Sequence, residues 1–402
     1  MPIPESIPDT RLKTAMEREH TVMITQLLSR PAHVGAADTP HLRLDLERVR
    51  TNVERLRAAF AALQPTLFYA VKANSDPRLL ALLRDLGCGF DVASINEIRS
   101  LQTLGVPGSD ITFSATVKIP SHIEEAYARG VRRFAFDSPT EVSKLARLAP
   151  GSQVVLRLEV PHEGSLWPLA GKFGAAPGEA PLLLQHAQDS GLQPYGVTFH
   201  VGSQCLRPQS WLDAIAVCGQ VWEAARQDGI ELRLVNLGGG LPARYTEDVP
   251  AVAAIGALAS QAALRTFGPD VEYAFEPGRS LVADAGTLVT RVIGKANRGG
   301  KRWVFVDLSI YAGLLEVIGG WSYPIRTAKD DEPRHCVTLA GPSCDSTDIL
   351  AEDVALPELE VGDRLELLSA GAYTTSYQTY NGLTFPTTVH VQGESQLWRQ
   401  AA

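Results

Sequence analysis

Thr66-Leu67-Phe68-Tyr69-Ala70-Val71-Lys72-Ala73-Asn74-Ser75 is the stretch whose reading decides the fold. Thr66–Val71 holds no charge, mixes β-branched with aromatic residues and does not alternate with polar ones. That is the pattern of a strand buried on both faces, as in a parallel sheet. Asn74, Ser75 and Pro77 then break the run, and an amphipathic stretch follows. Working outward, the same unit recurs. Upstream, Leu46, Val49, Val53, Leu56 and Phe60 repeat at helical spacing behind Asp45, a candidate N-cap. Downstream, strand-like runs lie at Gly89–Ala93, Ile111–Ser114, Val131–Phe136, Val154–Leu158, Tyr195–Phe199, Leu232–Leu237 and Val271–Phe275. Helical stretches such as Pro139–Leu148 and Trp211–Arg226 separate them.

Eight strands alternating with helices imply parallel strands joined by right-handed crossovers. This count predicts an α/β fold, a (β/α)8 TIM barrel over residues 43–281. A doubly wound open sheet has the same periodicity and is the rival. Past Ser280 the helical rhythm stops. Leu288–Ile293, Trp303–Val306, His335–Leu339, Arg364–Leu368 and Thr387–Val391 read as strands between Gly, Pro and Asp turns. Residues 282–402 are therefore a mostly β C-terminal domain, and 1–42 form a separate N-terminal segment. No short repeat or low-complexity segment interrupts this plan.

Composition narrows the function. The 402 residues carry 37 Lys and Arg against 45 Asp and Glu, a net charge of −8. Such a surface repels phosphate backbones and anionic lipids, so neither a nucleic acid nor a membrane partner is expected. No apolar run approaches the roughly 18 to 20 residues that span a bilayer, and Met1–Thr10 lacks a secretory pattern. Five scattered cysteines (Cys88, Cys205, Cys218, Cys336, Cys344) form no CxxC pair. A disulfide framework and a structural zinc site are both disfavoured. The expectation is a cytoplasmic, enzyme-sized protein with no metal centre.

Lys72, Asp91, Arg157, His200, Gly238 and Glu276 all lie at or just beyond strand C-termini, the face on which such barrels build active sites. Lys72 reads either as a lysine snorkelling at a strand end or as a desolvated, nucleophilic Schiff-base amine. Gly238-Gly239-Gly240 is either a plain turn or a set of backbone amides facing an anion; no Walker Lys follows it. Glu276-Pro277-Gly278-Arg279 reads as strand-end charges, or as a clamp on a phosphorylated heterocycle. In the clamp, glycine and arginine take the phosphate and glutamate a protonated ring nitrogen. His200 has no second His at metal spacing, and a satisfied core histidine is the simpler reading. Cys344-Asp345, between turn residues, is unlike a core cysteine.

As a set, FYAVKAN (68–74), GFDVAS (89–94) followed by Glu97, WPLAGKFG (167–174), HVGSQC (200–205), LGGGLP (237–242), FEPGRS (275–280), GPSCDS (341–346) and GAYTTSY (371–377) carry a resemblance. The chain resembles the alanine-racemase-like, fold type III, PLP-dependent decarboxylases of basic amino acids: ornithine, diaminopimelate and arginine decarboxylases, the ornithine enzymes most of all. The likeness runs from about Thr66 to Phe385. It implies the barrel with its C-terminal β domain, and an N-terminal segment packed on that domain. It also implies pyridoxal 5'-phosphate as cofactor, bound covalently by Lys72. His200 would stack on the ring and Glu276 pair with its nitrogen. Ser203, Gly238, Gly239, Gly240, Gly278, Arg279 and Tyr373 would hold the phosphate, with Asp91, Arg157 and Lys172 in support. Cys344 would act as the proton donor and Asp345 would bind the substrate's distal ammonium, both reaching across a homodimer interface.

Glu276 also bears on the reaction. Racemases on this barrel place an arginine there, whereas a carboxylate keeps the ring a strong electron sink. The resemblance therefore implies decarboxylation of a diamino acid, L-ornithine to putrescine first. L-lysine, or a modified or carrier-bound amino acid, is the alternative, and a non-catalytic regulatory relative the remote one. Two departures stand out. After Tyr311, a candidate substrate contact, Gly319-Gly320-Trp321 replaces an acidic stretch and Glu316 is its one acid. Asn236 stands where the family frequently has aspartate.

Overall fold

The computed structural model describes residues 39–393 except 170, 377, 378, 381, 382 and 385. Residues 1–38, most of the expected N-terminal segment, lie outside the described residues. β1 (His41–Asp45) opens the described chain and runs into a helix over Leu46–Ala59. Asp45 caps that helix, its Oδ1 accepting from the N–H groups of Glu47 and Arg48. Val49, Asn52, Val53 and Leu56 form its buried face. The buried polar member is satisfied: Asn52 Nδ2 donates to Leu281 O and to Asp284 Oδ1.

The barrel is built from β2 (Thr66–Ala70), β3 (Gly89–Val92), β4 (Ile111–Phe113), β5 (Arg133–Phe136), β6 (Gln153–Arg157), β8 (Gln193–Thr198), β10 (Leu234–Asn236) and β11 (Glu272–Phe275). All are parallel, and the ring closes where β10 pairs with β8 on one side and β11 on the other. Closure rules out the open-sheet rival. Helices such as Pro139–Leu148 and Gln209–Gln227 return the chain between strands. A small separate core of Phe68, Val155, Leu234 and Ala274, one residue from each of four strands, fills the barrel interior. Two short strands, β7 (Ser165–Trp167) and β9 (Ser203–Cys205), pair antiparallel outside the ring.

The chain leaves the barrel through a turn of helix at Arg279–Val282 and enters the β domain. Its strands are β12 (Gly286–Arg298), β13 (Lys301–Val306), β14 (Ile325–Thr327), β15 (Arg334–Ala340), β16 (Ile349–Pro357) and β17 (Arg364–Leu367), in the sheet order β14-β17-β12-β13-β15-β16. A two-stranded piece, β18 (Thr379–Tyr380) with β19 (Leu383–Thr384), precedes β20 (Thr387–Val391). β1 belongs to this second domain, antiparallel to β12 and parallel to β20. The boundary expected at residue 43 therefore falls inside a strand, and the barrel begins with the helix at Leu46. Among the described residues no helix is long and apolar enough to cross a membrane.

Candidate active site

At the mouth of the barrel Lys72, His200, Ser203, Glu276, Arg279 and Tyr373 line one cavity. Lys72 follows β2, His200 follows β8, Ser203 opens β9, Glu276 and Arg279 both follow β11, and Tyr373 comes from the β domain. Lys72 lies just past β2, in a single turn of 3-10 helix. Its Nζ is 2.7 Å from Asp91 Oδ2 on β3. The ammonium is not walled in by apolar side chains, since its side chain is 48% accessible while Asp91 is 1%. Burial works to lower the lysine pKa, but Asp91, Tyr373 and Glu276 outweigh it and hold the amine above its ordinary value. Its partner acid thus favours the protonated form of the amine while no other group is bound there. Asp91 Oδ1 is buried with no hydrogen-bond partner among the described residues. Such an orphan acceptor marks a place for another donor.

Glu276 follows β11 and its Oε1 accepts from Ser114 Oγ and from Asn236 Nδ2, each at 2.7 Å. Burial, with Asp91 second, pushes its carboxyl up to about 7 against the pull of Lys72 and the two donors. His200 Nδ1 accepts from the Gly202 N–H at 3.0 Å, which puts the ring proton on Nε2. Burial and the positive charges of Arg157 and Lys72 hold this imidazole well below its ordinary pKa, so it is a neutral plate. Arg157 ends β6 with its guanidinium 5.3 Å from the Phe173 ring centre, and the exposed Lys172 lies over the same ring.

The glycine turn sits directly against this group. A Cβ on Gly239 would lie 2.9 Å from His200 Nε2, and one on Gly240, at φ +96°, would lie 2.4 Å from Gly202 O. No side chain fits, and backbone is what the turn presents. The Gly238 N–H is already engaged by Asn236 Oδ1 at 2.9 Å. Its part is to shape the turn, which corrects its expected place among the phosphate donors. Arg279, 4% accessible, reaches Ser203 Oγ through Nε and Nη2 and Tyr245 Oη through Nη1. It also lies 4.2 Å from the Trp321 ring centre and 4.5 Å from that of Tyr373. Tyr373 itself holds φ +59°, a left-handed conformation rare for a bulky residue, pinned by its N–H to Ala73 O at 2.7 Å.

This set can hold an aldehyde on Lys72, an aromatic ring between His200 and Glu276, and a phosphate at the glycine turn beside Ser203 and Arg279. The description "pyridoxal-dependent decarboxylase, pyridoxal binding domain" matches residues 46–283, the barrel itself. The chain belongs to the pyridoxal-dependent decarboxylases. The lysine/ornithine decarboxylase of Selenomonas ruminantium is 36% identical over 87% of this chain and 89% of its own. The ornithine decarboxylase of Schizosaccharomyces pombe is 33% identical over 84% and 80%. The crystal structure of SrLDC in complex with PLP and cadaverine superposes with a TM-score of 0.83 at 34% identity, covering 93% of this chain and 94% of that one. This decarboxylase therefore has a fold type III architecture, and its cofactor is pyridoxal phosphate.

Not every residue expected at the site of this decarboxylase lines the cavity. Cys344 is exposed on the turn between β15 and β16, and Asp345 Oδ1 accepts from Thr347 N and Oγ1. Tyr311 joins the same turn through a hydroxyl contact to Thr347. The buried Asp348 organises it, accepting from Ile310 N and Ser343 N. Within one chain these residues form a second group on the β domain.

Glu316, the one acid of the stretch after Tyr311, is engaged within the chain: its two carboxylate oxygens take Arg279 Nη1 and Nη2 at 2.9 and 2.6 Å. Ser114 and Tyr245 were not singled out at all, and nothing local marks them. Glycine at 319 has a packing reason, because a Cβ there would lie 2.0 Å from the Trp167 ring.

Proposed function

We propose that the enzyme decarboxylates a basic diamino acid, L-ornithine before L-lysine, releasing CO2 and putrescine, and that it does so as a homodimer with shared active sites. The observation that carries the reading is Glu276 held by two neutral donors opposite a Lys72–Asp91 pair. Bound pyridoxal phosphate supplies an electron sink for the pair released when the bond between Cα and the carboxylate breaks. Glu276 keeps a proton on the ring nitrogen, and neutral His200 covers one ring face without adding charge. Lys72 is the amine that binds the aldehyde and is displaced by the substrate's α-amine. Ser203, Arg279, Gly278, Tyr373 and the Gly239 and Gly240 amides hold the phosphate, while Asp91 and Arg157 flank the reacting centre and Lys172 lies at its rim.

Cys344 of a second chain would return a proton to Cα, and Asp345 beside it would take the distal ammonium, with Tyr311 bracing the turn. A buried ammonium with no acid nearby would cost several kcal/mol, roughly 2 to 7 by the analogy of unpaired polar groups, so some carboxylate must meet it. Since Glu316 is taken by Arg279, Asp345 is the acid assigned that task. Similarity to ornithine decarboxylases supports the substrate class.

L-lysine is the second reading, favoured by the similarity to a lysine/ornithine decarboxylase and by the uncharged Gly319-Gly320-Trp321 segment. The deciding measurement is CO2 release from PLP-loaded protein given L-ornithine, L-lysine, L-arginine and meso-diaminopimelate. Fastest turnover on ornithine supports the proposal. Fastest turnover on lysine supports the second reading, and turnover of none removes both.

A further inference from the structure

Asn236 ends β10, where its register partners are Thr198 on β8 and Ala274 on β11. Both ends of its side-chain amide are used. Nδ2 donates to Glu276 Oε1 at 2.7 Å, and Oδ1 accepts from the Gly238 N–H at 2.9 Å. Glu276 and the glycine turn are joined a second time by their backbones, Glu276 N to Gly238 O at 2.8 Å. On the other side, Ser114 Oγ at the end of β4 donates to the same Oε1 at 2.7 Å. Two donors on one oxygen fix the plane of the carboxylate and leave Oε2 for the cavity. The charged groups facing Glu276 are Lys72 beyond β2, Asp91 on β3 and Arg157 at the end of β6, and neutral His200 shares its cavity.

We propose that Asn236 is a positioning residue that couples the two ends of the cofactor site: one amide orients Glu276 for the ring nitrogen and shapes the glycine turn for the phosphate. The inference rests on the reading of Glu276 and the glycine turn given above. The chemistry of the side chain is specific. A carboxamide donates at one end and accepts at the other without charge. An aspartate of the same shape accepts from Gly238 equally well, but it donates to Glu276 only while it holds a proton. Ser114 performs one half of the task and has no link to the turn, so it separates the two roles.

The test compares holoenzyme and the variants Ser114→Ala, Asn236→Ala and Asn236→Asp. Equilibrium affinity is measured across pH, from the cofactor's absorbance, for pyridoxal phosphate and for pyridoxal, which lacks the phosphate. Ser114→Ala is expected to move the acid limb of affinity up by about one pH unit, the consequence of losing one hydrogen bond to a charged group. Its preference for the phosphorylated form stays at the wild-type value. Asn236→Ala is expected to move the limb the same way and also to lower that preference about tenfold. Asn236→Asp keeps the wild-type acid limb and loses affinity on an added alkaline limb, where the shared proton leaves.

Equal loss of both ligands in Asn236→Ala with an unmoved acid limb would overturn the proposal. So would an Asn236→Asp profile without the alkaline limb, which remains decisive even where the alanine variant folds poorly. Wild-type protein that binds neither aldehyde overturns instead the underlying reading of the site.

Discussion

The barrel mouth and the turn from Gly341 to Asp348 carry the two halves of the proposed chemistry, and they are built differently. At the mouth, charges answer one another inside a single chain: Lys72 with Asp91, Arg279 with Glu316, Glu276 with Ser114 and Asn236. On the turn, the buried Asp348 holds the backbone, a glycine at 341 makes room for its carboxylate, and Cys344 is exposed. The difference teaches that the cofactor half is assembled by one fold, whereas the proposed donor half is a hydrogen-bonded loop that does not line the same chain's cavity. A loop so organised, yet outside its own chain's cavity, matches the proposal of a site shared between two subunits.

The largest expected effect would break or secure that contrast. Lys72→Ala and Cys344→Ala should each lower kcat at least about a hundredfold, as loss of a nucleophile or a general acid does. Mixed in equal amounts after dissociation, the two variants should regain about one quarter of wild-type activity, the share expected from random pairing in a symmetric dimer. A mixture as inactive as its components would mean that each chain supplies its own thiol.

Glu316→Ala sharpens the comparison from the mouth side. Removing one partner of a buried ion pair costs about 3 kcal/mol. The loss should be larger in the apoprotein than with pyridoxal phosphate bound, because phosphate offers Arg279 another anion. Denaturant unfolding with and without cofactor measures the difference, and equal losses would show that Arg279 does not face the phosphate.

A smaller effect follows from pH. Glu276 has its carboxyl raised to about 7, so below that pH it takes up a proton and loses the charge that attracts a protonated ring. Affinity of the apoprotein for pyridoxal phosphate should fall about tenfold per unit as pH drops through and below that value. His200, depressed well below its ordinary value, stays neutral through the same range. A flat profile would locate the ring nitrogen elsewhere. Least of all, Asp45→Ala should cost about 1 kcal/mol in thermal or denaturant unfolding, through loss of the helix cap. Asp45 also accepts from Gly393 N, so it joins the two domains at the point where one becomes the other. An unchanged midpoint would show that neither role matters.

Much of this was legible beforehand, for reasons visible in particular residues. The barrel strands announce themselves because burial on both faces leaves uninterrupted apolar runs such as Thr66–Val71. β16 escaped reading because Glu352 and Asp353 break its run, and β14 because three residues carry no period. β1 alternates, with Leu42 and Leu44 buried, but it lies beside the barrel's first helix in sequence and beside β12 and β20 in space. Lys72, Asp91, Arg157, His200 and Glu276 stood out as candidates because a strand end is a local signal. The partners of Glu316, Ser114 and Tyr245 did not, since they lie 37, 162 and 34 positions away.

What the sequence by itself determined is the alternation of strand and helix, the change to a β domain near residue 280 and the residue types at each strand end. These depend on burial period and turn chemistry, which act over a few neighbouring residues. Only the tertiary structure decided which charges answer which. It paired Glu316 with Arg279, placed Asn236 between carboxylate and glycine turn, and left the Cys344 turn outside the cavity of its own chain. Coulomb attraction and hydrogen bonding act over ångströms in space, and no pattern along the chain encodes that distance.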